Sequence, residues 1–373
     1  MRFEHLYVHV PFCARRCVYC DFSIAVRSRV PADDYLRGLE RELTRRHADS
    51  EFELATLYFG GGTPSKLGGD GVARMMEMLS RRIQLRPQAE VTLEANPEDV
   101  TVAAATSWRQ AGVNRVSLGV QSLDAAVLSW MHRTHDADAA LRAVDVLREV
   151  GMTNISIDLI FGVPPHLKRR WSQEVERVVE LGVSHVSVYG LTVEPHTPLG
   201  RWVAREDVAE APEEEFEHEF LHAHDSFAAA GFEHYEVSNY GMPGRHSRHN
   251  WAYWQRRSYA GLGPAAHEFD GAERRWNVAP YATWLARLDQ GRSAQAGSER
   301  LDVGDVQSEE LYLRLRTSAG VELAEPERSD VVPWLEAGWV ELHGNNLRLT
   351  ARGWLRLDAL ANHLTLLRSR SYI

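Results

Sequence analysis

All three cysteines of the chain fall in one short loop, at Cys13, Cys17 and Cys20. Their spacing is C-x3-C-x2-C. A short apolar run, Leu6 to Val10, delivers the chain into Pro11, and the thiols follow at once. The stretch therefore reads as a strand ending in a loop that wraps a metal centre. Structural zinc takes four ligands in a tetrahedron and would have to recruit a histidine such as His9. Disulfide pairing would leave one cysteine over, in a chain with no secretory signs. A [4Fe-4S] cluster ordinarily takes four thiolates. With three, one iron stays open to a ligand that the protein does not supply, and the amino and carboxylate groups of S-adenosylmethionine (SAM) are able to fill it. On spacing alone, zinc stays open beside the cluster.

The 373 residues leave room for a large domain and a smaller one. A hydrophobic content of 44% and a charged content of 25% are ordinary for a globular protein. No stretch approaches the ~18 apolar residues of a membrane-spanning helix. Met1 to His5 run straight into the first strand without an apolar leader, so neither export nor an integral membrane anchor is expected. Reduced thiols fit a cytoplasmic setting. The net charge of -10 speaks against a nucleic-acid partner, whose binding face would be basic.

From residue 6 to residue 193 short β-rich runs alternate with helical ones. Strands are expected at 6–10, 56–59, 90–95, 115–120, 155–161 and 185–193. Helices are expected at 33–46, 71–83 and 136–150, the last with Gly151 placed as its C-terminal cap. Strand–helix–strand repetition means parallel pairing with right-handed crossovers. The candidate chemistry gathers at the C-terminal ends of the strands, which favours a partial barrel over an open doubly wound sheet.

The second strand ends in Gly60-Gly61-Gly62-Thr63-Pro64-Ser65. Such a run lets backbone approach a ligand closely. It lacks the lysine and spacing of a phosphate loop, and a plain tight turn is the competing reading. Glu94, Asn96 and Pro97 end the third strand and Gln121 the fourth, with Arg133 shortly after; Asp158 sits inside the fifth. A carboxylate in an apolar strand is costly unless paired or bound. An internal pair of Asp158 with Arg133 is one reading, and a polar pocket using all these residues is the other.

Together, Tyr7, the Cys13/Cys17/Cys20 spacing, Gly60 to Ser65, Glu94-x-Asn96-Pro97, Gln121 and Ile157-Asp158-Leu159 resemble the radical SAM proteins related to oxygen-independent coproporphyrinogen III dehydrogenase. The likeness covers the first 195 residues and continues beyond them. It implies an α/β fold, a partial (β/α)6 radical SAM barrel, with a [4Fe-4S] cluster on Cys13, Cys17 and Cys20. It implies that Gly61, Gly62 and Thr63 contact the methionine end of SAM, that Tyr7, Tyr19 and Glu94 belong to the same site, and that Gln121, Arg133 and Asp158 line the cavity beyond. One branch of this group decarboxylates a porphyrinogen; the other, the haem chaperones of the HemW type, binds haem and passes it to apo-haem proteins. The dehydrogenase pattern adds a fourth cysteine where this chain has Phe22, and carries a longer segment ahead of the cluster loop. His249-Asn250-Trp251-Ala252-Tyr253-Trp254 matches the H-N-x-x-Y-W motif of the chaperones. The chain thus resembles the chaperone branch, and dehydrogenase activity is not expected.

That likeness makes His249 the expected haem contact, with His267 second. Neutral imidazole is a usual axial ligand of haem iron. Trp251, Tyr253 and Trp254 offer flat apolar surface, and Arg245, Arg248, Arg256 and Arg257 offer partners for propionates. Read without the likeness, the aromatics are core and the arginines surface. The domain boundaries expected are 1–200 for the barrel, 201–299 for an extension carrying the motif, and 300–373 for a small α+β, winged-helix-like unit. In that unit two helices precede a hairpin turning at Gly344-Asn345-Asn346. A homodimer is a further expectation.

Overall fold

The computed structural model describes residues 1–370. Six parallel strands form its centre: β1 (Arg2–Val10), β2 (Glu51–Gly61), β3 (Gln84–Ala95), β4 (Arg115–Gln121), β5 (Ile155–Phe161) and β6 (His185–Gly190). Each pairs with the next in parallel register. Helices α1 (Ala32–Arg46), α2 (Gly68–Ser80), α3 (Val102–Gln110), α4 (Ala125–Trp130), α5 (Ala137–Glu149) and α6 (Trp171–Glu180) make the crossovers. All six expected strands are present, but the first three start earlier, at Arg2, Glu51 and Gln84 rather than residues 6, 56 and 90, and the sixth stops at Gly190 rather than residue 193.

Alternation along these strands sorts the residues by face. On β4, Val116, Leu118 and Val120 are buried in the main apolar core. The other face carries Arg115, Ser117, Gly119 and Gln121. On β3 Val91, Leu93 and Ala95 alternate with Glu90, Thr92 and Glu94; on β5 Ile155, Ile157 and Leu159 alternate with Ser156 and Asp158. One face of the sheet thus packs under the helices, where α3 buries Trp108 completely. The opposite face is polar and lines the barrel interior. Burying a Val or Leu side chain contributes ~1.5–3 kcal/mol, so the outer face fixes register and leaves the inner face free for chemistry.

After α7 (Pro198–Ala204) and α8 (Glu213–Ala229) come β7 (Glu233–Glu236) and β8 (Asn239–Gly241), then α9 (Arg248–Trp254) and β9 (Ala260–Leu262). Phe232 to Tyr240 alternates in sequence like one strand but contributes to two, with the register shifting between Asn239 and Tyr240. β8 pairs antiparallel with β6, and β9 pairs parallel with β1. The sheet order is β9-β1-β2-β3-β4-β5-β6-β8-β7, so the segment 201–299 lengthens both flanks of the central sheet. The ends β9 and β7 do not pair, and the barrel is partial.

A second antiparallel sheet joins 267–269, 273–277 and 295–300. The final unit holds helices Val303–Leu315 and Val332–Glu336 and a hairpin of Val340–His343 with Asn346–Leu349; Val321–Glu322 adds a third strand. Helix, strand, helix, hairpin is the order of a winged helix. The last helical stretch is two helices, Ala351–Trp354 and Leu357–Arg370. Among the described residues no helix is long and apolar enough to cross a membrane.

Candidate functional site

A cavity of about 510 Å3 opens at the C-terminal ends of the strands. Cys13, Cys17 and Cys20 line it, and so do Tyr19, Gly61, Gly62, Thr63, Glu94, Gln121, Arg133 and Asp158. Segments spread over 146 positions of sequence, from Cys13 to Asp158, thus meet on one wall. Two expected site residues stand apart from it, Tyr7 and His249.

The cysteine loop leaves β1 through Pro11 and is tied down by Ala25 N–H donating to Pro11 O at 2.7 Å. All three thiols are free and partly exposed. Cys13 Sγ lies 3.4 Å from Thr63 Oγ1, and Arg133 Nη1 lies 3.6 Å from Cys17 Sγ. Burial pushes the Cys13 thiol up to about 11, and a bound metal is what ionises such a group. Among the described residues no three His, Cys, Asp or Glu side chains converge on one ion position. Nor does His9 offer a zinc ligand: one ring nitrogen is 3.1 Å from the Tyr7 hydroxyl and the other 3.0 Å from Ser23 O. Three free, partly exposed thiols lining one cavity suit a cluster that takes one thiolate per iron.

The glycine loop is a cradle in the strict steric sense. Gly61 has φ +112°, and a Cβ at Gly62 would stand 2.7 Å from the backbone carbonyl of Pro11. At Gly60 a Cβ would meet the rings of Tyr58 and Tyr7 and the Glu94 carboxylate. Tyr7 therefore lies behind the loop, its ring centroid 6.1 Å from that of Tyr58.

Glu94 accepts from the Tyr58 hydroxyl at 2.8 Å and from Gly61 N–H at 3.0 Å. Burial raises it to about 7. Asp158, also raised by burial, accepts from Ser117 Oγ at 3.0 Å. Arg133 does not pair with Asp158. It donates from Nη2 to Asn96 Oδ1 at 2.8 Å and to Gly119 O at 2.7 Å, and its buried Nε has no partner among the described residues. Gln121 has φ +68°.

Arg115 was missed by motif reading. It is 2% exposed, its Nε has no hydrogen-bond partner among the described residues, and it shares the inner face of β4 with Ser117. Its positive charge acts on both Glu94 and Asp158. A lone arginine at the start of an otherwise uncharged strand was the available signal.

The H-N-x-x-Y-W motif forms α9 at the other end of the barrel. Ser247 caps it, and Arg248 N–H and His249 N–H donate to the Glu90 carboxylate at 3.1 and 3.0 Å. His249 is 1% exposed. Its Nδ1 is 2.6 Å from Thr56 Oγ1 and its Nε2 is 2.8 Å from the Tyr253 hydroxyl. Burial holds it well below the usual histidine range, so the ring is neutral and both nitrogens are taken. Trp254 lies under the Arg316 guanidinium at 4.6 Å, and Arg256 pairs with Glu309 at 2.9 Å, so this end of α9 docks on the C-terminal unit. His267 is exposed beside Trp276, with ring centroids 6.0 Å apart.

Residues 7–170 match the model of the Radical SAM superfamily. The chain is 38% identical over 368 residues to the heme chaperone HemW of Mycobacterium tuberculosis, covering 96% of this chain and 94% of that one. It is 32% identical to the HemW of Bacillus subtilis, covering 84% of each. Among solved structures it is similar to the radical SAM enzyme coproporphyrinogen III oxidase (HemN) of Escherichia coli. The TM-score there is 0.80 at 22% identity, over 96% of this chain and 88% of that one, and this likeness shows the fold.

Proposed function

The chain belongs to the HemW family of the radical SAM superfamily, and we propose that it is a haem carrier of the cytoplasm that takes up haem and hands it to apo-haem proteins. In this reading Cys13, Cys17 and Cys20 hold a [4Fe-4S] cluster. Gly61, Gly62, Thr63, Tyr19 and Glu94 hold SAM against it, with Tyr7 supporting the loop from behind. Gln121, Arg133 and Asp158 close the far wall. When bound, the cluster supplies single-electron chemistry to SAM, and the protein's part is orientation. Arg133, already bonded to Asn96 and Gly119, presents a fixed cation to a carboxylate. Glu94 and Asp158 present buried acceptors to an ammonium or a ribose.

The observation that carries the reading is the convergence of all three thiols and the glycine loop on one cavity, in a chain whose full-length relatives are named haem chaperones. Phe22 stands on the rim of that cavity, where a fourth cysteine would mark the dehydrogenase branch.

The test uses anaerobically reconstituted full-length protein with SAM and a reductant, in two tubes. Haemin in one is expected to co-elute with the protein and to move to an added apo-haem protein. Coproporphyrinogen III in the other is expected to remain unchanged. Decarboxylated product in the second tube would make this an enzyme of porphyrin synthesis. Cys17→Ala is expected to abolish the broad visible absorption of the reconstituted protein; if absorption and iron content survive, the cluster assignment fails.

A further inference from the structure

A haem carrier needs a ligand for iron, and His249 has none to give while Thr56 and Tyr253 occupy its ring. Building on the haem-carrier reading, we propose that haem docks across the mouth of the cluster cavity with His132 as an axial ligand of its iron.

His132 lines the cavity and its side chain is exposed. Neither ring nitrogen has a hydrogen-bond partner among the described residues, and its ring neighbour is Trp202, edge-on at 6.4 Å and 77°. Its backbone is left-handed, with φ +60°. Non-glycine residues rarely adopt that conformation, yet the imidazole gains no hydrogen bond among the described residues in return. What the backbone achieves is placement: the turn after α4 carries Arg133 inward to Asn96 and leaves His132 at the opening. Neutral imidazole is a usual haem ligand.

The surroundings suit a flat apolar ring bearing carboxylates. Phe22 is 66% exposed and Tyr189 41% exposed, and both line the same cavity. Exposed aromatics at one opening are the apolar surface that a porphyrin face covers. Trp202, beside His132, neighbours the half-buried Trp130, with centroids 6.3 Å apart. Arg15, on the cluster loop, also lines the opening and has no ion pair among the described residues, so it is available to a propionate. Asp21 and Glu194 line the opening too, and the propionates turn away from them towards Arg15. The inner end of the cavity, at Gly61, Glu94 and Asp158, stays with SAM.

The experiment titrates haemin into reconstituted full-length wild type, His132→Gly and His166→Ala, read by Soret absorption and by EPR of ferric haem. Glycine suits a left-handed backbone, so His132→Gly removes the imidazole without a folding penalty. Its expected result is loss of the histidine-ligated spectrum and at least about tenfold weaker haem binding, with cluster absorption intact and the spectrum restored by added imidazole. His166→Ala, next to Trp130, is expected to behave as wild type. A wild-type spectrum and affinity in His132→Gly would overturn this proposal and leave the carrier reading standing. If wild type retains no haem, the carrier reading itself falls, and the proposal with it.

Discussion

The imidazole of His249 stacks on the ring of Tyr58, with centroids 5.0 Å apart and planes inclined by 27°. The Tyr58 hydroxyl in turn donates to Glu94 at the cavity wall. The motif helix α9 thus plugs the barrel from its far end and braces the cavity wall through one tyrosine. Replacing His249 by Ala empties a buried site and strips the Thr56 and Tyr253 hydroxyls of a partner. The expected loss is about 2–4 kcal/mol of stability in denaturant unfolding, with haem affinity of the folded fraction unchanged. Loss of haem binding at full stability would instead return the haem contact to α9.

Glu94 gives SAM binding a pH dependence of definite sign. Its pKa in the fold, about 7, lies above its unfolded value of 4.5, so the empty site holds a neutral carboxyl below that pH and a carboxylate above it. A bound sulfonium or ammonium favours the carboxylate. Binding therefore releases a proton below pH ~7, and affinity rises about tenfold between roughly pH 6 and pH 8. Calorimetry in buffers of different ionisation enthalpy measures the proton, and Glu94→Gln should flatten the curve. A flat curve in wild type would remove Glu94 from the SAM site.

Arg115 is a cation inside the barrel whose charge lowers the pKa of both Glu94 and Asp158, the latter together with Arg133. Arg115→Met should move the midpoint of that pH curve upward and weaken SAM binding near neutral pH. Arg115→Lys, which keeps the charge, should restore most of both. If Lys and Met behave alike, the role of Arg115 is packing alone.

Gly62→Ala should separate the two loops that make the site. The new Cβ would stand 2.7 Å from the Pro11 carbonyl carbon and oxygen, and backbone cannot swing aside as a side chain does. A cost of about 1–3 kcal/mol is expected, together with poorer cluster retention after reconstitution. Gly68 has positive φ and, among the described residues, nothing within 4 Å of its Cβ position, so Gly68→Ala brings backbone strain without a clash and serves as the contrast to Gly62. Equal cluster loss in both variants would mean that the clash with Pro11 is not what loosens the site.

Much of the site was legible before folding. The thiol spacing, the glycine run and the strand-end carboxylates are local patterns, and each lies at a strand terminus because strand, loop and helix follow one another in sequence. The strands were legible because their outer-face residues are Val, Leu and Ile at every second position. Their inner-face partners passed unnoticed for the same reason: Arg115, Thr92 and Ser156 look incidental until a barrel gives them a common interior. The strand-like stretch 232–240 broke in two because β8 must turn back to pair with both β6 and β7.

By itself, the sequence determined the cluster loop, the six parallel strands with their five crossovers and the family, since all rest on contacts between near neighbours or on the order of motifs. Only the tertiary structure decided which polar groups face each other. Thr56 meets His249 across 193 positions, and β9 reaches back to pair with β1 at the start of the chain. Those contacts depend on how the outer-face apolar residues set the register of every strand between them. That register turned the histidine of the motif inward, towards Thr56 and Tyr253, and left His132 at the mouth.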